Sequence, residues 1–264
     1  MTIAIILGAL VRLIMGLTGA GGGILAVPLL VFGLQLTVTE AGPIGLLAVG
    51  IAAAMGAVIG LKAGIVRYRA ALLIAGTGVL ATPAGIWLSR QLDTRALSIA
   101  FAVVLLMVAY KSLRESKQKE PAAPTRAEPP CIRDEDSGRF VWTTRCAIRL
   151  SIAGTIAGVL SGLLGVGGGF VMVPALQRYT DLAMQSVIAT SLAVIALISL
   201  TGVVTSMSAG HFNFAIGIPF AGGALAGMLL GGVISPRLSG THLKTAFGLI
   251  SVAVAIGMLI AALN

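Results

Sequence analysis

The stretch GLTGAGGGILAVP, Gly16–Pro28, decides how this chain is read, because it returns as GLLGVGGGFVMVP at Gly162–Pro174. Eight of the 13 positions are identical, and the offset is 146 residues. The same offset carries Leu46 onto Leu192, Gly56 onto Gly202 and Ala63-Gly64 onto Ala209-Gly210. Further on it carries Gly76 onto Gly222, Ser89 onto Ser235 and Phe101 onto Phe247. A gapless register of that length marks a duplication. Two repeats follow, residues 1–110 and 150–264, joined by residues 111–149.

Both repeats are apolar almost throughout. Of 264 residues 57% are hydrophobic and only 10% charged, and the mean hydropathy is +1.03. Soluble domains carry about 25% charged residues, so a soluble enzyme is excluded. Apolar runs of about 20 residues are membrane spans. In each half a long apolar unit holding the glycine cluster comes first, Ile3–Leu34 and Leu150–Leu176. Three segments follow in each, near Ala41–Leu61, Ala70–Ser89 and Ala96–Tyr110, then near Ser186–Met207, Ala215–Ser235 and Leu243–Leu263. The fold class is an all-α polytopic membrane protein of two homologous repeats, each with about four apolar segments. No basic residue precedes Ile3, and the N-terminal stretch belongs to the first repeat, so it reads as mature structure rather than a leader.

The first unit of each half is too long for one helix. Residues 3–34 would extend about 48 Å, against a hydrocarbon core of about 30 Å. Three consecutive glycines and a proline favour a break, at Gly19–Gly23 and at Gly165–Gly169. Non-helical backbone at membrane depth survives only inside protein or along a polar cavity. If each broken unit crosses, the halves are parallel with four spans apiece. If it turns back, each half has three full spans and the repeats are inverted. Lys and Arg concentrate in cytoplasmic loops, and this rule favours inversion. It puts the linker, Lys62, Arg67, Arg69, Arg178, Arg237 and Lys244 inside, leaving Arg90 and Arg95 outside beside Asp93.

The net charge of +9 does not indicate nucleic acid. Residues 111–149 hold nine of the 18 Lys and Arg and six of the nine Asp and Glu, and no basic face carries stacking aromatics. With its EPAAPTRAEPP run, this segment reads as a flexible cytoplasmic linker. Cys131 and Cys146 read as two free thiols there, and with two histidines they build no metal spacing. Gly19-Ala20-Gly21 lacks the third glycine of a dinucleotide loop, Ile24 standing in its place. No catalytic set, metal site or cofactor is read from the chain.

Paired broken helices in corresponding positions point to a transporter's midplane site. A half-helix beginning there offers unpaired N–H groups and its positive dipole end to an anion. The expected substrate site is formed by Gly19, Gly21, Gly22 and Gly23 with Gly165, Gly167, Gly168 and Gly169. Arg12 is the one basic residue within the first arm, and charge at membrane depth is costly and often functional. Hydroxyls at Thr18 and Ser161 are placed to complete the site. Those of Thr77, Thr82, Thr190, Ser191, Thr201 and Thr205 are expected to bond backbone or neighbouring helices.

At these glycine–proline motifs, and at the Ala63-Gly64 and Ala209-Gly210 turns, the sequence resembles the sulfite exporter TauE/SafE family of membrane permeases. The resemblance covers nearly everything outside the linker; Arg12 and the linker are not part of the pattern. It implies a bacterial inner-membrane carrier of small sulfur-containing anions such as sulfite, sulfonates or sulfoacetate. Its partners would be a small anionic substrate and the lipid bilayer. An anion channel is the alternative, but no continuous polar pore lining can be traced.

Overall fold

A computed structural model describes residues 8–9, 23–117, 131, 143–210, 212–234 and 240–263. Its regular elements are helices: α1 Ala26–Leu34, α2 Val38–Lys62, α3 Tyr68–Gln91, α4 Thr94–Lys117, α5 Thr144–Leu164, α6 Gly169–Tyr179, α7 Met184–Ser208, α8 Phe214–Ile234 and α9 Gly240–Leu263. Six are long and apolar enough to cross a membrane, namely α2, α3, α5 and α7 over their full lengths, α4 over Thr94–Arg114 and α9 over Thr245–Ala262. In lipid every backbone group needs an internal partner, which leaves helices as the economical solution for such apolar runs. Each apolar segment after the first unit in either repeat is a helix with its ends displaced by a few residues. α4 and α5 reach into the 111–149 segment, so Lys111–Lys117 and Thr144–Arg149 are helical.

Local chemistry sets several ends. Thr37 and Glu40 form a capping box at α2: the Thr37 N–H donates to Glu40 Oε2 at 2.9 Å, and the Glu40 N–H donates to Thr37 Oγ1 at 3.3 Å. α2 and α7 close alike. The Gly64 N–H donates to Leu61 O and the Gly210 N–H to Met207 O, both at 3.0 Å. The two glycines have φ of 69° and 71°, the left-handed conformation a Cβ disfavours.

Helix directions follow from which glycines meet which neighbours. Along α5, Gly154 abuts Ile74 and Thr77, Gly158 abuts Gly78, and Gly162 abuts Thr82 and Ile86. Numbers rise together, so α5 and α3 run parallel. Both start at the end of the bundle where α4 stops and α5 begins, here termed the linker end. Against α7, Gly50 meets Ser199, Gly56 meets Leu192 and Gly60 meets Ala189, so α2 and α7 are antiparallel. α4 and α9 are antiparallel too, with Gly248 against Leu113 and the Ser116 and Thr245 hydroxyls 2.5 Å apart. Small residues let these backbones approach closely where apolar surface alone provides no drive.

One sequence expectation is corrected at the linker end. Cys131 and Cys146 are not free thiols but a disulfide, S–S 2.02 Å, and both are fully buried. The Cys131 N–H donates to Tyr179 O at 3.1 Å, pinning this residue against the end of α6 beside α5. That contact is remote in sequence, so cysteine spacing gave no sign of it. The EPAAPTRAEPP run, residues 120–130, lies outside the described residues.

Candidate functional site

The second glycine cluster is a reversal of the chain rather than a bend in one helix. α5 closes on Gly165, whose N–H donates to Ser161 O at 2.8 Å. Gly165, Gly167 and Gly168 have φ of 71°, 75° and 70°, where an L side chain costs roughly 1–2 kcal/mol. α6 then returns along α5. Gly168 backs onto Ala157, and the Arg149 guanidinium lies 5.9 Å above the Tyr179 ring. The two arms therefore form a hairpin with both ends at the linker end.

The hairpin puts a helix N-terminus at middle depth. Gly167 sits among Val49, Ile195 and Ser199, beside Gly50 and Ala196, the central residues of α2 and α7. Val171 and Met172 are the first to close α6, both N–H groups donating to Gly168 O at 3.1 Å. The N–H groups of Gly169 and Phe170 precede the helix's own ladder. All of Gly165–Gly169 is buried.

On the first-repeat side, Gly23–Leu25 forms a single 3-10 turn leading into α1. Gly45 of α2 separates the two arms: a Cβ there would stand 3.1 Å from both the Val27 side chain and Gly165 O. The start of α1 and the tip of the hairpin thus meet across Gly42 and Gly45. Of the residues singled out by sequence, Gly23, Gly165, Gly167, Gly168, Gly169 and Ser161 fall in this region. Arg12, Thr18, Gly19, Gly21 and Gly22 lie outside the described residues.

Four serines stand out among the described residues. Ser161, Ser191, Ser199 and, in α9, Ser251 are fully buried, and their hydroxyls have no hydrogen-bond partner. Such a group costs free energy unless something binds it. The Ser199 Oγ stands 3.0 Å from the place a Gly167 Cβ would occupy, so it faces the reversal directly. Sequence reading missed Ser199, because its counterpart in the first repeat is Ala53 and no doubling marks it. Ser191, expected from the sequence to bond backbone or a neighbouring helix, does not, whereas the threonines given the same expectation do. Thr77, Thr82, Thr201 and Thr205 donate to carbonyls of their own helices, and Thr190 Oγ1 accepts the Arg67 N–H at 3.1 Å. Among the described residues no three His, Cys, Asp or Glu side chains gather to hold a metal.

A family model described as Sulfite exporter TauE/SafE matches residues 4–258. A probable membrane transporter protein of Xylella fastidiosa (strain Temecula1) is 30% identical over 258 residues, 94% of this chain and 91% of its own length. The probable membrane transporter protein YunE of Bacillus subtilis is 27% identical over 246 residues, 89% of each chain. No solved structure matches the chain.

Proposed function

The chain belongs to the sulfite exporter TauE/SafE family of membrane transporters, and from that premise we propose that it is a secondary carrier of small anions in a bacterial inner membrane. Its substrates are sulfur oxyanions or organosulfonates, sulfite and sulfoacetate being examples. The substrate binds at middle depth, between the α6 N-terminus and the facing first-repeat cluster. The observation that carries this reading is the unpartnered, buried Ser199 hydroxyl beside the Gly165–Gly168 reversal. Hydroxyl and N–H donors suit an oxyanion, and the dipole end of α6 favours its charge. Gly19, Gly21, Gly22 and Gly23 with Arg12 and Thr18 supply the other half of the cradle.

The two repeats are inverted in this reading. Two corresponding pairs have equal lengths: α2 and α7 span 25 residues each, α4 and α9 span 24 each. Each such pair packs antiparallel, as a two-fold axis in the membrane plane requires. Lys62, Arg67, Arg69, Arg149 and Arg178 lie at the linker end, which is therefore cytoplasmic.

The test uses Ser199→Ala rather than a glycine. An alanine at Gly168 would sit in the left-handed region with its Cβ 2.9 Å from Ala157 O, so lost affinity and lost fold would be confounded. Removing one hydrogen bond to a charged ligand costs about 1.5–3 kcal/mol, or roughly tenfold to a hundredfold in affinity. Sulfite and simple sulfonates are titrated on monodisperse protein, and saturable flux is measured in proteoliposomes. Wild-type affinity and flux in Ser199→Ala would overturn the site. Flux that never saturates would favour a channel.

A further inference from the structure

Away from that site, α4 and the α5–α6 hairpin enclose a groove of about 470 Å³. Its walls are apolar, built by Val104 and Val108 from α4, Ile156 and Leu160 from α5, and Phe170 and Pro174 from α6. At the linker end the lining changes to Lys111, Arg149 and Arg178, with Tyr179 under the Arg149 guanidinium. Among the described residues no carboxylate lines the groove; Asp181, three residues beyond Arg178, is not part of it. Three cations thus crown an apolar slot.

The slot has the depth of one leaflet. Phe170 stands in the first turn of α6 at middle depth and Tyr179 ends the helix, nine steps of 1.5 Å or about 14 Å apart. Half of a 30 Å hydrocarbon core is about 15 Å. A free anion would satisfy the cations and leave the apolar wall unexplained. A zwitterionic lipid would fill the wall, but its positive headgroup amine would meet the Arg149 and Arg178 guanidiniums at the mouth. Basic pockets between spans on the cytoplasmic side recognise anionic headgroups. We propose that this groove binds an anionic phospholipid, its phosphate among Lys111, Arg149 and Arg178 and one acyl chain reaching Phe170. Whatever fills it braces α6 from outside while the other face of the hairpin meets the bundle. The proposal does not depend on which anion is transported.

Retention of phosphatidylglycerol and of phosphatidylcholine is compared on delipidated protein by native mass spectrometry. Phosphatidylglycerol should be held preferentially. Each cation removed should weaken it about fivefold, from roughly 1 kcal/mol per basic residue near a membrane surface. The double variant Arg149→Gln/Arg178→Gln should therefore lose roughly 25-fold. Leu160→Trp, which narrows the slot without touching charge, should lower retention of both lipids and serves if the double variant does not fold. Equal retention of the two lipids by the wild type would overturn the proposal. So would displacement of phosphatidylglycerol by millimolar inorganic phosphate, which would mark a free-anion site. A preference appearing only after residues 120–130 are exchanged for Gly-Ser sequence would give the groove to the linker instead.

Discussion

At the scale of the residue, glycine does three different things in this chain. Gly165, Gly167 and Gly168 permit positive φ and so make the reversal. Gly154, Gly158 and Gly162 let α5 touch the α3 backbone. Gly76 has nothing within 4 Å of where its Cβ would be. A methyl group tells the last two apart. In Gly158→Ala the new Cβ meets the Gly78 carbonyl and the helices must part, at about 1–3 kcal/mol as for other overpacked sites. In Gly76→Ala the side chain enters open space, and the helix gains up to about 1 kcal/mol from better propensity. Thermal unfolding of the two purified variants should therefore shift in opposite directions or, for Gly76→Ala, not at all. Equal losses in both would mean that the close approach of α3 and α5 contributes nothing to stability.

Among the elements, what the sequence made legible was length and apolarity. Every full span announces itself by an uninterrupted run, which is why the segments Ala41–Leu61 and Ser186–Met207 are α2 and α7 within three residues at each end. The glycine cluster announced a break but not its direction, since a kinked crossing and a hairpin have the same composition. Direction came from tertiary facts: Gly168 against Ala157, and Arg149 over Tyr179. Ser199 was invisible for a related reason, because a single hydroxyl in a 25-residue apolar helix looks like any other until a neighbour fails to bond it. In the segment between the repeats the sequence misread both Cys131 and Cys146, because the anchor of Cys131 to Tyr179 joins distant parts of the chain. Deleting Glu120–Pro130 would pull on that anchor. Exchange of those residues for a Gly-Ser chain of equal length keeps the reach and removes the sequence. Flux should remain at the wild-type level, measured in the same proteoliposomes. Complete loss in a normally inserted variant would show that the segment takes part in transport.

For the molecule as a whole, two compartment signals meet at the linker end. The proposed orientation puts that end in the cytoplasm, where disulfides are normally kept reduced, yet the fold brings Cys131 and Cys146 into a bond. Under that orientation the pair is expected to be dithiol in the growing cell and to close once the protein is exposed to air. Acid-quenched cells, alkylated under denaturing conditions, should show both cysteines modified. Aerobically purified protein should require reductant first. A bond already closed in quenched cells would put the linker end in the periplasm and reverse the orientation of every span. The row of Gly154, Gly158 and Gly162 also limits how such a bundle can move. Its members recur every four residues, about 6 Å along the axis; Gly158 and Gly162 seat against backbone alone, and Gly154 against the Ile74 carbonyl beside the Thr77 hydroxyl. The contact is a toothed rack: α3 and the hairpin arm can tilt together as one lever, but any slip of less than a full tooth drives a methyl group into a carbonyl.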